Sequence, residues 1–270
     1  MMIPKMEEYA KYFLDVASEQ RLNIIQLIHE KEYRLSELAK TLDATTPEVH
    51  RNLERLERSG FIIKNSNGHF ILTTLGHMIL GIVPNLAFII KNKKYFLNHP
   101  INSLPHKFIS RFGELFECKL VSSYVNVFEY WKNIYKNSQE YIYNILYDVP
   151  YFDDFVNPIH EKLSQGIKVK SIFYEKAMVS DSRSDILKKF KKYIDNGGIQ
   201  RMMTKNVSAA VILNEKQSCL IFPDIDGKLD AGYAFTSEDP SFHQWCFDYF
   251  NYSWYNAQPF AERNLEKNQR

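Results

Sequence analysis

Arg51, Arg55 and Arg58 stand four and three residues apart, the spacing that lines side chains along one face of a helix. Guanidinium groups one turn apart suit bidentate contact to guanine or a clamp on phosphate. Thr45 and Thr46 precede them, where a helix N-terminus offers free N–H groups to a backbone phosphate. Glu48, His50 and Glu54 share the same open side. Further on, Lys64, Asn65, Asn67 and His69 surround an Asn-Gly pair, the tip of an expected hairpin that would touch phosphate or the minor groove. Together these residues form the expected interface for double-stranded DNA. Glu48, Glu54 and Glu57 lie among the arginines, however, and ion pairs along the helix would explain the charges without nucleic acid.

A small-molecule site is the second chemistry to weigh. Ligands in α/β domains sit where loops converge at the carboxyl ends of parallel strands. Here that selects Asp148, Tyr151, Tyr174 and Glu175, with Tyr147 and Tyr233 as aromatic walls. Residues 106–260 hold no recognisable catalytic constellation, and no enzyme activity or cofactor is expected. His243 and Cys246 lie three apart with Cys219 upstream, but a structural zinc site pairs four ligands at short spacings, so buried core thiols are expected instead. Asp224, Asp226 and Asp230 around Gly227 lack the spacing and closing Glu of a calcium loop and read as a polar turn. Lys188, Lys189, Lys191 and Lys192, with Lys168 and Lys170 upstream, read as a solvated helix face, with DNA or an anionic effector as the alternative.

The elements that would position these residues follow from punctuation and period. Ser18 is placed to cap a helix reaching Glu30, with Leu22, Ile25, Leu27 and Ile28 at helical spacing. After an extended stub at Tyr33, Arg34 and Leu35, Ser36 would cap a short second helix carrying Leu38, Ala39 and Leu42 inward. Asp43 and Ala44 make the turn. Thr46 and Pro47 open a third helix over residues 47–59, with Val49, Leu53 and Leu56 inward, which Gly60 stops. Residues 61–63 and 70–72 then read as two short strands, and Thr73 or Thr74 opens a long apolar helix containing Met78, Ile79, Ile82, Val83, Leu86, Ile89 and Ile90. Its apolar surface is too wide for one small domain to cover, so part of it is expected to meet a second subunit, with helix one as the other contact.

Residues 99–105, with Pro100, Asn102, Ser103 and Pro105, read as a linker between a DNA-binding and dimerisation domain at 1–98 and an effector domain at 106–260. The second domain predicts a helix over 124–136, a strand over 141–147, a helix over 152–164 and a strand over 167–174, a βαβ unit whose strands run parallel. A helix over 184–196, strands at 199–203, 208–213, 218–222 and 232–235, and a closing helix over 240–255 follow.

Composition bounds the reading. The 270 residues, 45% hydrophobic and 24% charged, are those of an ordinary folded protein with room for two cores. A formal net charge of only +2 removes any argument from a whole-molecule basic field, so the DNA case rests on local geometry. The 19 Phe and 17 Tyr suit aromatic cores. Three scattered cysteines fit a reducing interior, and the charged start MMIPKMEEYAKYF lacks the apolar run of a leader, so a cytoplasmic protein is expected. The most apolar stretch, residues 78–90, is 13 long and holds Pro84, short of the ~20 residues that span a bilayer; a packed helix and no membrane are expected.

Two motifs carry a family resemblance. LERLERSGFI at 53–62 and FILTTLG at 70–76 resemble the end of the recognition helix and the wing-to-helix junction of archaeal and bacterial winged-helix regulators of the arsenical-repressor type. NILYDVPYF, GIKVKSIFYEK and FHQWCFDYFNYSW resemble the effector domain of the archaeal methanogenesis regulatory protein family. The resemblance implies a dimeric transcription factor whose C-terminal domain responds to a signal. The order of strands and helices in the second half also resembles the phospholipase D-like fold of some archaeal sugar-responsive regulators, whose enzymes carry His-x-Lys followed by Asp. At that place this chain reads SAAVILN, residues 208–214, with no histidine nucleophile and no lysine for phosphate. The expected fold class is multidomain α+β: an N-terminal winged helix-turn-helix, mainly α with a β wing, followed by an α/β domain resembling a degenerate phospholipase D-like fold. The expected function is a sequence-specific regulator acting as a homodimer on double-stranded DNA with a small-molecule effector. A winged-helix adaptor for protein contact, or a phospholipase D-like enzyme, is the alternative.

Overall fold

The computed structural model describes residues 10, 13–148, 153–178 and 183–266, and the chain divides into two units, Met1–Leu86 and Ala87–Arg270. In the first unit α1 (Glu19–Glu30), α2 (Leu35–Thr41) and α3 (Thr46–Arg58) precede a hairpin of β1 (Ile62–Lys64) and β2 (Phe70–Leu72), and α4 (Thr74–Lys91) follows. Ile24, Ile25 and Ile28 of α1, Leu38 of α2 and Val49, Leu53 and Leu56 of α3 close on Phe61, Ile62 and Phe70 as one core, each helix burying a single stripe.

The helix starts differ slightly from the expected caps. Glu37 reaches back to accept from the Arg34 backbone N–H at 2.7 Å, so α2 begins at Leu35 and Ser36 lies inside it. α3 begins at Thr46 with Thr45 as its N-cap and Pro47 in the first turn. Between them Asp43 takes the left-handed conformation, φ 48°, which Asp tolerates better than most residues. Tyr33 bridges to Phe70, whose N–H donates to its carbonyl at 2.7 Å, and so extends the hairpin by a third rung.

The FILTTLG junction has a steric explanation. The Thr73 hydroxyl donates to the Gly60 carbonyl at 2.6 Å and accepts from the Gly76 N–H at 3.1 Å. A Cβ at Gly76 would stand 2.2 Å from the Phe61 carbonyl oxygen, so the backbones of strand and helix touch where only glycine fits. α4 is longer than the apolar stretch suggests: its 18 residues are long and apolar enough, by length and composition, to cross a membrane, and few of them are buried. Met78 is 60% exposed, Ile82 58% and Leu86 49%.

The division inside α4 corrects the expected boundary. Phe88 at the end of α4 and Tyr95 in α5 (Lys93–Phe96) belong to the core of the second unit. The expected linker is packed as well. His99 is buried, its ring stacked 3.8 Å from Tyr95, with Nδ1 2.8 Å from the Tyr95 carbonyl and Nε2 3.1 Å from Asp230. Leu104 is buried too, and Ser208 Oγ donates to the Ser103 carbonyl at 2.8 Å. At the other end Leu265, beyond the expected limit of 260, is fully enclosed.

The second unit is mixed α+β around an eight-stranded sheet. In chain order come α6 (His106–Ile109), a 3-10 turn at Phe112–Leu115, β3 (Lys119–Ser122), α7 (Tyr124–Asn137), β4 (Tyr141–Leu146), α8 (Asp153–Ser164), β5 (Lys168–Tyr174), α9 (Arg183–Asp195) and β6 (Ile199–Thr204). β7 (Ala210–Leu213), β8 (Ser218–Ile221), β9 (Tyr233–Ser237), α10 (Pro240–Asn256), β10 (Gln258–Pro259) and α11 (Glu262–Glu266) complete it. The spatial order is β10-β6-β5-β4-β7-β8-β9-β3. β4, β5 and β6 run parallel, as helical crossovers require, and the remaining pairs are antiparallel. The two edge strands β3 and β10 escaped the sequence reading: one is largely exposed and the other has two residues.

Alternate residues of the central strands feed different cores. Ala210, Ile212, Cys219 and Ile221 join Trp131, Ile134 and Tyr135 of α7 on one face. Val211, Leu213 and Leu220 join Phe108, Phe112, Trp245 and Phe250 on the other, the period of two expected of a sheet covered on both sides. Asp239 caps α10 by accepting from the N–H groups of Ser241 and Phe242.

Candidate nucleic-acid interface and ligand crevice

Val49, Leu53 and Leu56 anchor α3 from behind, leaving Thr45, Thr46, His50, Arg51, Glu54, Arg55 and Arg58 exposed and Glu48 half-buried. The feared pairing of glutamates with arginines does not form among the described residues. The ion pair on the helix surface is His50 with Glu54 at 3.8 Å, and among the described residues no hydrogen bond or ion pair holds Arg51 or Arg58. Arg55 differs. Its Nε donates to Asp15 at 2.9 Å and its Nη2 to the Leu14 carbonyl at 3.2 Å, so it braces the chain ahead of α1 and is not open on the helix face as its spacing implied.

That brace is a small network. The buried Arg21 donates to the carbonyls of Asp15 and Leu14 at 2.7 and 2.8 Å and to Asn52 Oδ1 at 3.2 Å, while Asn52 donates to Gln20. Ser59 Oγ donates to the Asp15 carboxylate at 2.8 Å. The Ser59 hydroxyl and then the Arg55 cation hold the Asp15 carboxyl below its ordinary range, and burial together with the neighbouring Arg55 lowers Arg21. Arg51, Arg55 and Arg58 form the basic wall of a groove of about 1110 Å³ whose other wall is Leu75, Ile79, Ile82 and Leu86 of α4.

At the hairpin tip the four expected residues divide by role. Lys64 and Asn67 are exposed. Asn65 is spent on the turn itself: Oδ1 accepts from the N–H groups of Asn67 and His69, both at 3.0 Å, and Nδ2 donates to Glu32 at 2.9 Å. His69 is half-buried, and its Nδ1 has no partner among the described residues. Sequence reasoning missed Arg34, which is exposed and donates to the Asn67 carbonyl at 3.4 Å. It lies outside any helical pattern, so only the bridge from Tyr33 to Phe70 reveals its place.

In the second unit, the crevice at the carboxyl ends of the parallel strands measures about 610 Å³ and contains two of the expected residues. Tyr147 and Tyr174 stack there with ring centres 4.7 Å apart, beside Asp224, Tyr249 and Tyr252. Burial raises the Tyr147 phenol. Asp148 is exposed, and its carboxylate accepts from the Met178 N–H at 2.9 Å, tying loops together outside the crevice lining. Glu175 donates its N–H to the Thr204 carbonyl at 2.9 Å and is likewise absent from that lining. Tyr233 is misplaced by the sequence reading: it opens β9, four strands from β5, and packs against Tyr95 and His99. Tyr151 lies outside the described residues.

The weaker constellations take structural places. His243 Nε2 is 2.7 Å from the Asn214 carbonyl, and burial pushes the thiols of Cys118 and Cys219 up to about 12 and that of Cys246 well above the usual value. Asp224 accepts from the N–H groups of Asp226 and Lys228, both at 2.9 Å, closing a turn.

Residues 10–91 match the family described as the HVO_A0261 N-terminal domain. No curated protein matches the chain. Among solved structures, TrmBL2, an archaeal chromatin protein reported with a novel mode of DNA binding, is similar over 85% of this chain and 88% of its own, at 13% identity and a TM-score of 0.42. NucT from Helicobacter pylori is similar over 53% of this chain and 99% of its own, at 13% identity and a TM-score of 0.41. Nuc from Salmonella typhimurium, a phospholipase D family member, is similar over 54% of this chain and 100% of its own, at 11% identity and a TM-score of 0.40. Likenesses at this level say nothing of what the chain does.

Proposed function

We propose that the chain is a cytoplasmic, sequence-specific transcriptional regulator that binds double-stranded DNA through a winged helix-turn-helix at its N-terminus and has no enzymatic activity. The observation that carries this reading is α3: braced from behind by three buried side chains and from the side by the Arg55–Asp15 network, it holds Arg51 and Arg58 exposed and unpaired among the described residues. A rigid helix with free guanidinium groups on its open side is what major-groove reading demands. Lys64, Asn67 and Arg34 at the hairpin tip suit phosphate contact. The resemblance to arsenical-repressor-type regulators points the same way, and the resemblance of the second half to methanogenesis regulators supports a signal-sensing role there, with Tyr147 and Tyr174 walling the crevice. Against phosphodiester chemistry, β7 presents four buried apolar residues where a degenerate phospholipase D-like fold would carry its nucleophile.

The exposed apolar side of α4 supports a homodimer, with two recognition helices ~34 Å apart on a palindromic site. The surface of α1 supports it less: Gln26 and Glu30 there bond to each other at 3.3 Å, so α4 is assigned the larger share. An effector that favours one dimer geometry would shift DNA affinity by about 1 to 3 kcal/mol.

The test is footprinting on the chain's own genomic fragments, with a salt series. Arg51→Ala and Arg58→Ala are each expected to weaken binding by about 1 to 3 kcal/mol where they read a base, and affinity should fall steeply with salt as phosphate contacts are lost. Wild-type footprints from both variants would overturn the assignment; binding of a protein partner with little salt dependence would favour the adaptor.

A further inference from the structure

The second unit contains a cavity on the opposite face of β4 and β5 from the Tyr147 crevice, enclosed by α8, α9 and that face of β4, β5 and β6. It measures about 100 Å³, and its walls are apolar: Leu146, Phe155, Ile186, Phe190 and Phe260 among them. One feature of the sheet floor breaks that pattern. Strand register sets Asn144 beside Ser171, and Ser171 beside Arg201. A polar row therefore crosses three adjacent parallel strands, between the apolar rows Ile142, Val169, Ile199 and Leu146, Phe173, Met203. All three polar residues line the cavity.

Two of the lining groups are buried with hydrogen-bonding capacity unused. Asn144 is 1% exposed; its Nδ2 donates to Tyr135 Oη at 3.3 Å, and its Oδ1 has no partner among the described residues. Arg183 opens α9 at 3% exposure and donates through Nη2 to Glu262, while its Nε and Nη1 have no partner among the described residues. Interiors rarely leave a guanidinium in this state, because each unmet donor forfeits its hydration without replacement. A core at this place needs neither Asn nor Arg; a site for an anion needs both a buried cation and donors that point at empty space.

The approach is basic as well. A surface depression that shares Leu187, Ile194 and Arg201 with the cavity is lined by Lys188 and Lys191 and by the carboxylates Asp195 and Glu262, so the cations outnumber the anions by one.

We propose that this cavity binds a small monocarboxylate with an apolar body, its carboxylate accepting from Nε and Nη1 of Arg183. A void of about 150 Å³ admits benzene, so this smaller one suits acids with an aliphatic body of about three to five carbons. A hydroxyl on such an acid finds its acceptor in Asn144 Oδ1. The site goes beyond the regulator reading, and binding is measured without DNA, so failure here and failure of that reading are separate results.

The experiment is calorimetric titration of the full chain with isovalerate and with butyrate, alongside the neutral analogue isoamyl alcohol. At least one acid is expected to bind, and isoamyl alcohol to bind at least about tenfold more weakly than isovalerate, the size of effect expected for hydrogen bonds to a charged group. Arg183→Gln should lose the acid by about tenfold or more, with Arg183→Lys retaining part. Leu187→Trp, which leaves the guanidinium in place and fills the cavity, should abolish binding and keeps the test valid should Arg183→Gln fail to fold. Silence from both acids, equal binding of isoamyl alcohol, or unchanged affinity in Leu187→Trp would each overturn the proposal.

Discussion

The two units place their large apolar side chains in opposite ways. The first leaves Met78, Ile82 and Leu86 of α4 facing solvent, while the second encloses Phe112, Phe222, Phe235, Phe242, Trp245 and Phe250 completely. Each unit also buries one arginine, Arg21 in the first, whose guanidinium is spent on Leu14, Asp15 and Asn52, and Arg183 in the second. A folded core that is finished within one chain and an apolar face that is not are different states of the same physics, since apolar area left wet forgoes the stabilisation that burial provides. The second unit thus completes its burial within the chain, and the α4 face of the first does not.

Three experiments test how far that contrast holds. The largest effects belong to the close-packed places. Gly76→Ala forces a carbon against the Phe61 carbonyl and is expected to destabilise the first unit by about 3 kcal/mol or more; Trp245→Ala should cost the second about 3 to 5 kcal/mol. Calorimetry on each variant should move mainly one transition, and a single transition moved by both would erase the distinction between the units. A middle effect is expected on α4. Ile82→Glu should leave the thermal stability of a monomer within about 0.5 kcal/mol while sedimentation shows loss of a dimer. An unchanged sedimentation coefficient would remove the second copy from that face, and co-flotation of wild type with lipid vesicles would give it to a membrane.

The smallest effect concerns the brace. Arg55→Ala should cost under about 1 kcal/mol, since the pair with Asp15 is partly open to water. Asp15 is held below its ordinary 3.8, so its contribution is present above that pH and fades as the pH falls through the lowered value. An acid melt of wild type against Asp15→Asn, with a difference at neutral pH that vanishes below the pH of carboxylate titration, checks the sign.

What could be read from the chain alone was whatever depends on local period. Val49, Leu53 and Leu56 announced α3, and the strand-helix-strand order across residues 141–174 announced paired parallel strands. Relations across long separations were silent. Asp15 stands 40 residues from Arg55, and nothing in either neighbourhood indicates the pairing, so Arg55 passed as an open reader. The stretch holding Pro100 and Pro105 has the composition of a linker, yet His99 and Leu104 within it are buried, because backbone irregularity and solvent exposure are separate properties. Asn144 and Ser171 were visible as polar breaks in apolar strands, but their adjacency to Arg201 needs the strand order, which no single strand encodes. In the same way Tyr233 looked close to Tyr174 only until the sheet order put β9 near the opposite edge.

The three cysteines lend themselves to a practical use. Cys118, Cys219 and Cys246 are enclosed, and because only the thiolate reacts with alkylating dyes, thiols raised so far above neutrality stay silent toward maleimides in the native protein. A fluorophore introduced through one engineered surface cysteine, at the hairpin tip for instance, would therefore report from that position alone, with the natural sulfurs left in place.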